Sequence, residues 1–337
     1  MRAIRHSRYG GPDVIDLREV DKPAPATGEL LVRVRAAAVN PLDFHYLRGT
    51  PYLLRLQAGL TRPKVHGLGA DMAGTVEAVG PGVTRFRPGD DVFGSCTGAF
   101  ADYVTVHQDK AVAAKPANLT FAQAASAPVP GYTALQALRD KAKVRAGQSV
   151  LVNGAAGGVG TFAVQLAKAL GAEVTGVCRT ANVELVSSIG ADHVVDYTRE
   201  DYADTGRRYD VILDVAGSRS LADNRRALAP AGVLVAVGAP DGGNWIGPMA
   251  RLGGMLLGSL GRAQRMLPLL ALARRDDLVT LSGLLESGTV NPVIDRTYPL
   301  AEVPDAIRYL ELGHARGKVV IEVSPAGPVE PASGTQV

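Results

Sequence analysis

Cysteine is almost missing from this chain of 337 residues, and the two present, Cys96 and Cys178, are far apart in sequence. Two thiols cannot build a disulfide framework, a four-cysteine zinc lobe or an iron–sulfur cluster. An excess of one charge is missing too: 36 Lys and Arg against 33 Asp and Glu leave a net charge of +3. That balance gives no whole-chain reason to expect nucleic acid or a membrane as a partner. There is no long apolar run either. Residues 246–260 are interrupted by Pro248 and Arg251, and they fall short of the ~18 residues a spanning helix needs. The opening MRAIRHSRYGG carries no apolar signal core, so a soluble, cytoplasmic protein is expected. Aromatics are scarce at 5%, whereas Gly reaches 39 residues and apolar residues 46%. Such a chain is globular, rich in turns and small-residue cores, and long enough for two domains.

Up to Thr120 the pattern is mostly β. ELLVRVRAAAVN (29–40) alternates apolar and polar with β-branched residues, as a half-buried strand does. AGTVEAVG (73–80) repeats this, PGVTRFRPGD (81–90) sets turn residues on either side of another short strand, and GDDVFG and GAFADYVTV supply two more. Close-spaced strands punctuated by Gly and Pro point to a small barrel or partly open sheet, not a parallel one. From Phe121 to Arg139 the pattern is helical, with a break at Pro128 and Pro130. Strands and helices then alternate through SVLVNG, TFAVQLAKALG, EVTGVC, ANVELVSSIG, HVVDY, YDVILDVAG, SLADNRRAL and GVLVAVG. Near-continuous apolar strands between helices mark a parallel sheet covered on both faces. An apolar Gly- and Met-containing region follows, then an amphipathic helix in LVTLSGLLESG and a last strand in ARGKVVIEV. The Pro/Gly/Ser-rich tail 325–337 is expected to be disordered.

The strongest local signal is LVNGAAGGVGTFAVQLAKALGAEVTGV, where a buried strand runs into Gly154, Ala156, Gly157, Gly158, Val159 and Gly160 and a helix opens at once. Such a turn lets backbone approach a pyrophosphate at a helix N-terminus, where unpaired N–H groups favour anions. Ala155 stands where G-x-G-x-x-G has its first Gly, yet the flanking strand, helix and second strand are all present. About 20 residues on, a dinucleotide fold selecting NAD carries an acid for the ribose 2′-OH. Cys178 holds that place here, followed by Arg179 and then Asn182. With a guanidinium and no carboxylate, NADPH is expected over NADH; the alternative for Arg179 is a solvated loop residue.

These stretches, together with AAAVNPLDFHYLRG, LGADMAGTVEAVGPGVTRFRPGDDVFG and GADHVVDY, resemble the zinc-independent quinone oxidoreductases of the medium-chain dehydrogenase/reductase superfamily. The resemblance runs to about Val323, over nearly the whole chain. It implies an α/β protein: a GroES-like β-rich catalytic domain (1–124 plus 265–324), a Rossmann doubly wound parallel-sheet domain (125–264), and NADPH in the cleft between them. Zinc-dependent relatives have a Cys at the place of Asn40 and Gly-His-Glu at the place of Gly69-Ala70-Asp71, so two ligand positions are lost and no metal is expected. None of the six histidines forms a spaced pair with a cysteine or another histidine.

Without a Lewis acid, hydride transfer suits an acceptor that is already electrophilic, a quinone or an α,β-unsaturated carbonyl. The resemblance puts Asn40, Asp43 and Tyr46 on the cleft side of the first domain. Tyr46 is the preferred donor to the developing oxyanion, a half-buried structural phenol being the alternative; Asp43 orients neighbours. By position Thr133 lies beside the nicotinamide, Tyr132 brings a second phenol, and Val215, Ala216, Val237 and Gly238 end later strands. Lys318 is read as lending charge to the cofactor phosphates, with surface solvation as the alternative. Trp245 and Met249, with Met255 and Met266, form an apolar wall for the acceptor or for a dimer interface. A homodimer acting on a small electrophile, with no nucleic acid or membrane partner, completes the expectation. Rival readings are an enoyl-thioester reductase, a zinc-free carbonyl reductase or alcohol dehydrogenase, and a non-catalytic NADPH-binding sensor.

Overall fold

A computed structural model describes residues 1–238, 253–255, 258–259 and 261–323. Trp245, Met249 and the tail 325–337 lie outside the described residues. Two sheets dominate. The first is mainly antiparallel and seven-stranded, built from β3 (Glu29–Val39), β4 (Asp71–Val79), β5 (Asp91–Ser95), β6 (Tyr103–His107), β7 (Val112–Ala114), β14 (Ile294–Pro299) and β15 (Lys318–Glu322). Its order is β14-β15-β3-β4-β5-β7, with β6 also on β3. A small hairpin, β1 (Arg2–His6) with β2 (Ile15–Glu19), flanks it.

The second sheet is parallel, in the order β10-β9-β8-β11-β12-β13. Its strands are β8 (Ser149–Asn153), β9 (Glu173–Cys178), β10 (His193–Asp196), β11 (Tyr209–Asp214), β12 (Leu228–Ala236) and β13 (Arg265–Pro268). The chain winds outward one way from β8 through β10, then returns to the other side of β8 at β11. Ligands bind at such a reversal, outside the carboxyl ends of the strands.

Several elements differ from the expectation. Residues 81–90 hold no strand, because Gly82 and Gly89 take φ of +76° and +96° and the segment coils through turns. Pro128 and Pro130 do not break a helix; they lie in the first turn of α4 (Pro128–Leu135), where a missing N–H costs nothing. The break comes before them, after α3 (Phe121–Ala125). Strand β3 is less half-buried than its alternation suggests, since β4, β6 and β15 flank it and Ala36–Val39 are all buried. β13 joins the parallel sheet beside β12, so residues 265–268 belong there and not with the antiparallel sheet. Met255 and Met266 are core residues packed under that sheet, not a pocket wall.

The two sheets share one core. Ala36, Ala38, Ala73, Phe93, Ala111 and Ala113 of the first meet Ala124, Ala125, Ala127, Ala134 and Ala137 of the α3–α4 region, which pack on toward Val150, Val152 and Leu213 of the second. Methyl-sized side chains let these layers approach closely, which accounts for the alanine-rich, aromatic-poor composition.

Candidate active site

Strand register assembles one side of the site. In β3, Ala38 pairs with Asp71 of β4, and Val39 pairs with Val319 of β15. Asn40, one residue past β3, therefore lies between Asp71 and Lys318. Lys318 Nζ donates to Asn40 Oδ1 at 2.5 Å and to Val39 O at 2.9 Å, and stands 3.7 Å from Asp71 Oδ2. Asn40 Nδ2 donates to the same carboxylate oxygen at 2.8 Å. Asp71 Oδ1 accepts from Val129 N and Ser95 Oγ. All three side chains are buried, Lys318 at 3% exposure, so the ammonium is neither solvated nor free for a phosphate. Burial pushes the Asp71 carboxyl up and the Lys318 ammonium down, and the attraction between them opposes both shifts.

Asn40 also caps α1 (Pro41–Arg48). Its N–H donates to Asp43 Oδ2 at 2.7 Å, and Gly69 N–H donates to Asp43 Oδ1. Burial still wins at Asp43, whose carboxyl is pushed up to about 7. Tyr132, expected in the cleft, is instead buried in the shared core, its phenol pushed above the ordinary range by burial and then by Asp71. Thr133 is buried as well, its hydroxyl spent on Val129 O; the cleft face of α4 is Val129 and Pro130.

The other side is the glycine-rich turn. Gly154 takes φ of +90°, Gly157 caps α5 (Gly158–Ala169), and Ala155 is fully buried. A Cβ on Gly160 would come 2.1 Å from Gly154 O, so that glycine closes the turn from behind. At Gly157 the nearest atom would be 3.5 Å away, so that glycine leaves room on the open side. Across the reversal, Asn153 Nδ2 donates to Asp214 Oδ1 at 2.8 Å. Gly317 N–H donates to Ala156 O at 2.8 Å, and Arg316 donates to Ala181 O, tying the first sheet to the turn of the second.

Between these walls lies a cleft of about 730 Å³. Of the residues expected at the cofactor, Gly154, Ala156, Gly157, Gly158, Val159, Cys178, Arg179, Asn182, Val215, Ala216 and Lys318 line it, as does Asn40. Gly160, Val237 and Gly238 do not, and Gly238 is packed against Val215 O instead. Phe44, Tyr197, Arg219 and His314 line it without having been singled out. At its far end Arg179 Nε and Asn182 Oδ1 are buried without a partner. Burial pushes the Cys178 thiol beside them up to about 11, so it stays neutral.

Tyr46 is not in this cleft. With Asp43 it lines a second cavity of about 350 Å³, on the other side of the first turn of α1, alongside His6, Lys64, Ala70 and Cys96. Cys96 and Asp43 are close, and burial holds that thiol up at about 12.

Two family models match the chain: an alcohol dehydrogenase GroES-like domain over residues 26–117 and a zinc-binding dehydrogenase domain over residues 189–321. Quinone oxidoreductase of Rattus norvegicus is 32% identical, covering 95% of this chain and 96% of its own length. A chloroplastic NADPH-dependent alkenal/one oxidoreductase of Arabidopsis thaliana is 34% identical, over 96% of this chain and 80% of its own. Escherichia coli quinone oxidoreductase, solved in complex with NADPH, superposes with a TM-score of 0.81 at 26% identity, over 96% of this chain and all of that one. The zinc-binding description implies a metal that the donor set here does not fit. Where a thiolate and an imidazole are needed there are an amide and a methyl, and an ammonium already sits against the carboxylate. Among the described residues no three His, Cys, Asp or Glu side chains converge on a metal position.

Proposed function

The chain belongs to the quinone oxidoreductase family of the medium-chain dehydrogenase/reductase superfamily, and from that membership we propose that it reduces a quinone or an α,β-unsaturated carbonyl with NADPH and without a metal ion. The observation that carries this reading is the cleft at the strand reversal, with an open glycine turn at one end and the unpartnered Arg179 Nε and Asn182 Oδ1 at the other. The N–H groups at the start of α5 suit a pyrophosphate, and Arg179 suits a 2′-phosphate. NADPH, when bound, supplies the hydride. The chain holds and orients: Phe44, Val129 and Pro130 keep water off the apolar wall, and the Lys318–Asn40–Asp71 cluster fixes that wall rigidly. Tyr46, the expected donor, is 38% exposed in the second cavity and not in the cleft that takes the cofactor, so no donor role is assigned to it.

Metal independence is supported by the Lys318 ammonium, which supplies the positive charge at Asp71. A homodimer is supported by β13, whose outer edge pairs with no other strand among the described residues. No described helix is long and apolar enough to cross a membrane; a cytoplasmic location remains part of the proposal, checked by cell fractionation. The deciding experiment follows NADPH oxidation against quinones, enones, enoyl-thioesters and aldehydes, with and without chelator. Turnover on quinones or enones, unchanged by chelation, is the expected result. Reduction confined to aldehydes, or loss of activity with chelator, overturns the reading.

A further inference from the structure

The whole-chain charge balance hides a local imbalance. From Phe44 to Ala70 there is no Asp or Glu, while Arg48, Arg55, Arg62 and Lys64 all fall in the stretch, and of these, among the described residues, only Arg48 is paired with an acid, Glu311. The same region carries large apolar side chains in solvent. Of the twelve large apolar residues exposed among those described, six lie between positions 42 and 65. Leu53, Leu56 and Leu60 are 59%, 64% and 67% exposed, and Val65 is 54% exposed. Single exposed leucines are ordinary; a cluster rimmed by charge of one sign marks an interaction surface.

The segment is braced to hold this display. Arg55 stacks on Tyr9 and Tyr52 at 4.5 and 4.6 Å and donates to Gly49 O, and Tyr9 OH donates to Gly59 O. Gly59 turns the chain at φ +120°, where a Cβ would collide with Arg62 O. Arg62 and Lys64 are exposed and in no ion pair among the described residues. The segment also walls the second cavity, through Gln57, Ala58, Lys64 and Val65.

We propose that residues 44–70 form a docking surface for an anionic lipid bilayer, and that docking brings the protein to an acceptor dissolved in that bilayer. The second half of this inference rests on the acceptor class proposed above; the docking does not. Charge decides the occupant. A second copy placed across a two-fold axis would bring this patch, with its unpaired Arg62 and Lys64, against itself. Nucleic acid would need stacking aromatics where leucines stand. Anionic lipid meets both halves: headgroups attract Arg62 and Lys64, and the acyl boundary takes Leu53, Leu56 and Leu60.

The test sediments the full-length protein, without substrate, with vesicles of phosphatidylcholine alone or mixed with phosphatidylglycerol. We expect about tenfold more protein on the anionic vesicles, with binding lost in high salt, in Leu56→Asp/Leu60→Asp and in Arg62→Gln/Lys64→Gln. Leu56→Asp/Leu60→Asp, at side chains that line neither cavity, should keep NADPH affinity and turnover of a water-soluble quinone, and lose turnover of a long-chain quinone held in anionic vesicles; Arg62→Gln/Lys64→Gln should keep NADPH affinity. Equal, negligible sedimentation with both vesicle types overturns the proposal. So does a wild-type protein that ignores vesicles while Leu56→Asp/Leu60→Asp halves the mass in solution, which would assign the surface to a second copy. Vesicle binding with no turnover of any quinone would leave the docking standing and remove the acceptor class.

Discussion

Lys318 illustrates how a single side chain takes its meaning from its neighbours. In the sequence it is one lysine of the last strand; in the structure it is a buried cation surrounded by Val39 O, Asn40 Oδ1 and Asp71. Lys318→Met should cost about 3–5 kcal/mol in urea unfolding, because Asp71 is left buried without its counter-charge. Adding Asp71→Asn should recover part of that loss; simple additivity of the two losses would refute the coupling. Asp43 offers a test by pH. Its folded pKa of about 7 lies above the ordinary carboxyl value of 3.8, so between the two the folded protein holds a proton that the unfolded chain releases. Its contribution is complete below the unfolded value, declines as pH rises toward 7, and is flat above that. Subtracting the stability–pH curve of Asp43→Asn from that of the wild type should expose this decline, on the order of a few kcal/mol; a flat difference would rule it out. Arg179→Ala should weaken NADPH about 10- to 100-fold and leave NADH unchanged, the weight of hydrogen bonds to a charged group. Equal losses for both nucleotides would return Arg179 to the role of a solvated loop residue.

At the scale of elements, the glycine turn separates folding from binding within four residues. The Cβ of Gly157→Leu comes no closer than 3.5 Å to any atom beyond its chain neighbours, on the open side of the turn, so this variant should melt like the wild type yet give no NADPH titration. Gly160→Ala drives its methyl to within 2.1 Å of Gly154 O and should lower the melting temperature itself. The reverse pattern would mean that the turn faces the other way. This element was legible because strand, glycines and helix are contiguous and each has its own period. The cluster around Lys318 was not. Lys318 and Asn40 are 278 residues apart, and only the antiparallel register of β15 on β3 brings them together. Tyr132 and Thr133 misled for a related reason: they lie three and four residues past Val129, on the same side of α4 but one turn further along, so Val129 and Pro130 line the cleft while Tyr132 and Thr133 are buried. β13 has only four residues inside an apolar stretch and shows no alternation of its own, so its sheet could be learned only from its partner, β12.

At the scale of the whole molecule, two domains are visible in the pattern of strands and helices, but their common core is not. Alanines from both sheets interleave in one cluster through the α3–α4 region. Calorimetry should therefore show one cooperative transition, with neither half melting alone; two resolved transitions would mean that the joint contributes little.

The backbone tie between Gly317 and Ala156 has a mechanical consequence. It joins the lobes beside the glycine turn, and Arg316 adds a second stitch at Ala181, next to Asn182 at the far end of the groove. A groove sewn at both ends cannot hinge open about either. The dinucleotide would then be seated against a nearly fixed floor, and whatever gaping admits or releases small molecules would fall to the rim facing this seam.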